Sequence, residues 1–195
     1  MQPFDRLTLR TERLLLRPLR ADHADALIRK NSDPLTMRYM STPAWSSRAQ
    51  ANESIAKDLI ALPAGQHLRL GLTERDGSAL VGTCSLFAFN EACRRAEVGY
   101  ALARPAWGAG LMNEALRALL VYAFGELNMN RIEADIDPRN TASAKSLERL
   151  GFMREGLLRE RWIVGGEVSD TALYGLLQHD WRAAHATNET SAPPH

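Results

Sequence analysis

The chain has 195 residues, 45% hydrophobic and 24% charged, with a formal net charge of +1. That length suits one domain, and that balance suits a globular protein rather than a disordered chain or a nucleic-acid-coating one. No apolar run reaches the ~18 residues of a membrane helix, and the five histidines and the two cysteines, Cys84 and Cys93, have no metal-ligand spacing, so no metal is expected.

The elements follow in chain order. Leu14-Leu15-Leu16-Arg17-Pro18 reads as a first strand. Asp22 is placed to cap a short helix whose Ala24, Leu27 and Ile28 share one face. Ser47 and Gln50 have capping-box spacing, and Ala51, Ile55, Leu59 and Leu62 form the helical stripe behind them. Leu68, Leu70 and Leu72 alternate as a half-buried strand does, and Asp76-Gly77 turns the chain into a strand from Leu80 to Phe87. After a polar connection comes a strand from Glu97 to Leu102, in which Gly99 reads either as a bulge or as packing clearance. A helix from about Gly108 to Leu127 buries Met112, Leu116, Leu119, Leu120 and Ala123 and exposes Asn113, Glu114, Arg117 and Glu126.

Arg131 to Ile136 is the next strand, broken by Asp137-Pro138. Asn140 caps a helix that stops at Gly151, with Leu147 and Phe152 at the positions of a Schellman contact. Trp162-Ile163-Val164, Gly165-Gly166 and Thr171 to Leu177 read as a final hairpin. Residues 1–183 thus form a single domain in the order β-α-α-β-β-β-α-β-α-β-β, and the small, polar, proline-ended 184–195 reads as a disordered tail.

The turn Trp107-Gly108-Ala109-Gly110-Leu111-Met112 carries the strongest chemical signal. A helix start has N–H groups without partners and a dipole that favours negative charge, so a strand–glycine–helix turn is an anion site. A P-loop string is missing, and Asn113 stands where a dinucleotide fingerprint needs its third small residue. Two readings remain for the turn by itself: a different phosphorylated ligand held mainly by main chain, or an ordinary strand-to-helix turn.

With Ala96-Glu97-Val98-Gly99-Tyr100-Ala101-Leu102 before this turn, and Arg131 to Ile136, Asn140-Thr141-Ala142-Ser143 and Gly151-Phe152 after it, the chain resembles the GNAT superfamily of acetyl-CoA-dependent N-acetyltransferases. It is most similar to the branch of the ribosomal-protein N-terminal acetyltransferases RimJ and RimL, over roughly Glu12 to Trp181. The resemblance implies an α/β (α+β) fold: a central mixed, mostly antiparallel sheet with two splayed parallel strands and helices on both faces. It implies acetyl-CoA as cosubstrate. Its pantetheine arm would lie along Tyr100, Ala101 and Leu102 and touch Asn140, and its pyrophosphate would sit on the N–H groups of Gly108, Ala109, Gly110, Leu111, Met112 and Asn113. Trp107 and Tyr174 would lie near the coenzyme or cleft.

Ser143 matches a serine that protonates the departing thiolate in the RimL-like branch, while Leu147 stands where other members carry a tyrosine for that task. Helix capping by Asn140 and a solvent-facing helix-start role for Ser143 are the plainer alternatives. For the base, the resemblance points to Asp135, and Glu97 and Glu133 lie on the strands that should border the cleft, with a water wire or plain strand ion pairs as alternatives.

The acceptor is expected to be a protein or peptide α-amine. At pH 7 about one tenth of an α-amine is neutral but only about 0.04% of a lysine side chain, a gap of roughly 3 kcal/mol for a site with a weak base. A small amine (antibiotic, polyamine or amino acid) is the competing acceptor, and a non-catalytic acyl-CoA sensor is the reading from another class. No secretory signal is expected after Asp5, Arg6 and Arg10, and the sparse cysteines fit a cytoplasmic monomer or homodimer that touches neither membrane nor nucleic acid.

Overall fold

The computed structural model describes residues 2–77 and 79–189. Its strands are β1 (Leu9–Arg10), β2 (Leu14–Pro18), β3 (Leu68–Glu74), β4 (Leu80–Asn90), β5 (Arg95–Leu102), β6 (Arg131–Ile136), β7 (Met153–Val164) and β8 (Glu167–Leu177). Its α-helices are α1 (Ala24–Ser32), α2 (Pro34–Met37), α3 (Arg48–Ala61), α4 (Leu111–Gly125), α5 (Thr141–Arg149) and α6 (Gln178–Glu189). No helix among the described residues is long and apolar enough to cross a membrane.

The eight strands form one sheet in the order β1-β2-β3-β4-β5-β6-β8-β7. Every pairing is antiparallel except β5 with β6. That ladder covers only Arg95↔Arg131, Ala96↔Ile132 and Glu97↔Glu133. Beyond it β5 stays paired with β4 as far as Leu102, and β6 with β8 as far as Ile136, so the two central strands part.

Alternation sends successive side chains to opposite faces. Leu68, Leu70 and Leu72 of β3 enter the main core with Val98, Ile132 and the buried stripe of α4, Met112, Leu116, Leu119, Leu120 and Ala123. Their neighbour Arg69 points the other way, to Asp58 and Ser54 of α3. On that face a smaller core of Leu19, Ala24, Leu27, Ala51 and Ile55 seats α1 and α3.

Local signals are mostly realised. The Ser47 N–H donates to Gln50 Oε1 at 3.1 Å at the start of α3. Gly151, at φ +92°, ends α5, with the Phe152 N–H on the Leu147 carbonyl at 3.1 Å and the Gly151 N–H on that of Glu148 at 3.0 Å, the Schellman pattern. Several expectations need correction. Asp22 does not cap α1: it lies in a 3₁₀ turn and pairs with Arg20. Leu59 is 62% exposed, because α3 turns Asp58 inward to reach Arg69. The last hairpin is longer than predicted, since β7 begins at Met153. Helix α6 extends into the segment expected to be disordered, and 190–195 lie outside the described residues.

Gly82 of β4 lies so close to β5 that a Cβ there would stand 2.6 Å from the Ala101 carbonyl oxygen and 2.7 Å from Leu102 Cδ2. Gly82→Ala should therefore cost about 1–3 kcal/mol through overpacking. Urea denaturation should show a lower midpoint at unchanged slope.

Candidate active site

The parting of β5 and β6 opens a cleft of about 550 Å³ that reaches from β5 and α5 to the side of α1 and the α1–α3 connection. Three groups of residues border it or lead into it.

The first is the glycine turn. After β5 a 3₁₀ turn, Arg104–Ala106, carries the chain to Trp107, whose indole N–H donates to the Leu102 carbonyl at 2.9 Å. Gly108 and Gly110 have φ of +77° and +74°, in the left-handed region where glycine has no steric penalty. A Cβ on Gly108 would meet nothing within 4 Å, so backbone conformation rather than crowding demands that glycine. The helix begins at Leu111, later than expected, and its N-cap Gly110 offers no side chain to its first-turn N–H groups. Arg13 clamps the turn from outside. Its NH1 donates to the Ala109 carbonyl at 2.8 Å, and its backbone N–H and Nε hold Glu114 at 2.8 and 2.6 Å. Asn113 adds a buried amide Nδ2 with no protein partner among the described residues.

The second group is Tyr100, Asn140 and Ser143. The Tyr100 hydroxyl and Ser143 Oγ are 2.7 Å apart, and Ser143 is 9% exposed, so it is not the solvent-facing residue of the plainer alternative. Asn140 does cap α5, its Oδ1 accepting the Ser143 N–H at 3.1 Å. Burial pushes the Tyr100 phenol up to about 12, against the opposing hydrogen bond from Ser143, so it keeps its proton near neutrality. Leu147 is wholly buried in the core.

The third group is the carboxylates. Glu97 and Asp135 face the cleft. Asp135 accepts from Thr171 Oγ1 at 3.0 Å and from the Trp162 indole at 3.3 Å. Glu97 is raised above the usual carboxylate range, first by burial and then by Glu133 and Asp135. Glu133 is placed elsewhere: it is gripped by Arg95 NH1 at 2.5 Å and Arg131 Nε at 2.8 Å at the closed end of the ladder, and it does not line the cleft.

Two further expectations resolve. Gly99 pairs regularly with Ser85, and a Cβ there would stand 3.1 Å from Phe87, so it serves clearance. The register shift of this pair of strands lies between Phe87 and Asn90 instead. Tyr174 is buried in the core with its hydroxyl towards Glu148. Arg13 and the hydroxyl of Tyr100 were not legible as site groups, since their partners Glu114 and Ser143 lie 101 and 43 residues away. Among the described residues no group of metal-ligating side chains is assembled.

Comparison with known proteins agrees with this architecture. Residues 13–153 match the family described as the acetyltransferase (GNAT) domain. An N-acetyltransferase of Bacillus licheniformis, p20, is 37% identical over 89% of this chain and 98% of its own length. The [ribosomal protein uS5]-alanine N-acetyltransferase of Escherichia coli is 31% identical over 60% of this chain and 61% of its own, and the spermidine N(1)-acetyltransferase of that organism 24% over 88% and 90%. Among solved structures, Mycobacterium smegmatis RimJ in complex with CoA-disulfide superposes with a TM-score of 0.82 at 25% identity, covering 95% of this chain and 98% of that one.

The Glu97 environment is directly measurable. Carboxyl NMR titration should place Glu97 above its ordinary value of 4.5. Asp135→Asn should lower it only partway, because burial is the larger cause. A Glu97 that titrates normally in the wild type would contradict the geometry.

Proposed function

The chain belongs to the GNAT family and is an N-acetyltransferase, and on that premise we propose that it transfers the acetyl group of acetyl-CoA to the α-amine of a protein N-terminus. The observation that carries this reading is the convergence on one cleft of Ser143, backed by Tyr100, and of Glu97 and Asp135. Acetyl transfer needs a proton donor for the leaving sulfur and an acceptor for the amine proton on the two sides of one carbonyl.

The first-turn N–H groups of α4, in the turn that Arg13 ties through the Ala109 carbonyl, would hold the coenzyme's pyrophosphate. The unpaired edge of β5 would pair with its pantetheine amides as with an extra strand. The amine attacks the thioester carbonyl, the new C–N bond forms and the C–S bond breaks. The amine proton passes to Glu97 or Asp135, directly or through water. Ser143 Oγ gives its proton to the thiolate, and the Tyr100 phenol is placed to replace it.

An α-amine suits this site better than a lysine side chain, since about one tenth of it is already neutral at pH 7. The raised Glu97 brings a base closer to that range. The name of the uS5-alanine acetyltransferase supports the same acceptor class. A polyamine fits less well: the cleft carries as many basic as acidic side chains, and a polycation needs an excess of carboxylates.

The test is thiol release from acetyl-CoA with a peptide offered free and N-terminally blocked, its lysines unchanged. The free peptide should turn over and the blocked one should not. Comparable rates for the two, or turnover of small amines alone, would overturn the assignment, and no turnover with any amine would leave the acyl-CoA sensor. Ser143→Ala should lower kcat by about 10²-fold or more while coenzyme affinity changes little. A kcat close to wild type at every pH would reduce Ser143 to a helix-start residue.

A further inference from the structure

At the β3 end of the cleft, away from the reacting groups, lies a cation that none of the steps above uses. Lys30 of α1 is 6% exposed and lines the cleft. Its Nζ donates to Asn31 Oδ1 at 2.6 Å. No carboxylate lies within ion-pair distance of it among the described residues, and the one charge that acts on it appreciably is Arg69, another cation. Arg69 itself is already committed to Asp58 and Ser54. Buried charges are ordinarily paired, so an ammonium with one neutral partner is an unfilled position. His67 repeats the pattern. Its ring stands edge-on to Phe87 and lines the same cleft, and its Nε2 is buried without a hydrogen-bond partner. Buried polar atoms left unpaired are rare enough to call for a cause.

The sheet register fixes where this end lies. Arg69 of β3 pairs with Ser85 of β4, and Ser85 with Gly99 of β5. Phe87, beside the His67 ring, pairs with Glu97. His67, just before β3, thus lies two strands from Glu97, roughly 10 Å at the usual spacing, with Asp135 one strand further. The cleft thus has the Lys30 ammonium towards one end and the Glu97 and Asp135 carboxyls towards the other.

We infer that the acceptor carries a carboxylate about two strand spacings from its reacting amine, and that Lys30 Nζ and His67 Nε2 hold it while Glu97 and Asp135 receive the amine. This rests on the peptide reading above for its scale. An extended chain advances about 3.3 Å per residue, so about three residues cover the distance and the anion is an acidic side chain at position two or three. Burial and Arg69 push the Lys30 ammonium down to about 8, which still leaves it mostly charged at neutral pH. A carboxylate there would pair with the Lys30 ammonium and accept from His67 in its Nε2–H tautomer.

Matched acceptors test this: a peptide with Glu at positions two and three against the same peptide with Gln, and a small amino acid of similar span against its amide. Wild type should prefer the acid by roughly tenfold or more in kcat/KM, the worth of a charge-assisted hydrogen bond. Lys30→Met, checked for fold by circular dichroism and for coenzyme affinity, should bring acid and amide to parity. His67→Phe serves as the second variant if Lys30→Met does not fold, and should reduce the preference. Equal use of acid and amide by wild type in every accepted format overturns the inference, as does a preference that survives the variants. Peptides that turn over without acid preference sink the anion site alone. Inert peptides beside a small amine used better as acid than as amide sink the N-terminal reading alone.

Discussion

The parallel ladder between β5 and β6 stops after Glu97 and Glu133, and the rest of the molecule is arranged around that stop. Each strand keeps its other partner, β4 or β8, so the sheet opens without losing its frame. At the closed end Arg95 and Arg131 hold Glu133 between them and fasten the strands together. Past that clamp, backbone groups of β5 face an opening instead of a strand. Such groups are costly to leave unmade when buried, so the opening favours a ligand with amides of its own. A pantetheine arm has them.

Arginines make several other ties around the cleft. Arg13, on the loop before β2, reaches the turn after β5 and fixes both Ala109 and Glu114. Arg69 fixes α3 against β3 through Asp58, which burial raises and the guanidinium lowers. Arg139 joins Asp137 after β6 to Glu167 at the start of β8. The planar guanidinium, with several donors in fixed directions, can hold a carbonyl and a carboxylate together, as Arg13 does. These contacts place loops and helix ends, where the hydrophobic core exerts little control.

The cleft also divides its charges by strand. Glu97 stands on β5 and Asp135 on β6, Lys30 on α1 and His67 before β3, and the hydroxyls of Tyr100 and Ser143 at the splay. The strand positions follow from alternation: Glu97 and Gly99 share one face while Val98 packs in the core on the other. The same period that builds the core therefore lays out the chemistry.

The sequence by itself determined the local elements and the family. Periodicity placed the core stripe of α4, the Ser47–Gln50 box and the Gly151 stop, because each depends on residues within a few positions of one another. It marked the glycine turn for the same reason, and Ser143 through the family resemblance. It misjudged Leu59, Asp22, the start of α4 and the hairpin length, where a tertiary contact or a backbone preference outweighed the pattern. Only the tertiary structure decided which carboxylate belongs where. Glu97, Glu133 and Asp135 look alike on their strands, yet Arg95 and Arg131 withdraw Glu133 while Thr171 and Trp162 orient Asp135. The hydroxyl pair of Tyr100 and Ser143, the Arg13 clamp and the unpaired Lys30 also arise only there. The first two join residues brought together by sheet register and helix packing, and Lys30 is buried by the same packing; no local pattern in a chain encodes a partner or a burial that arises so far along it.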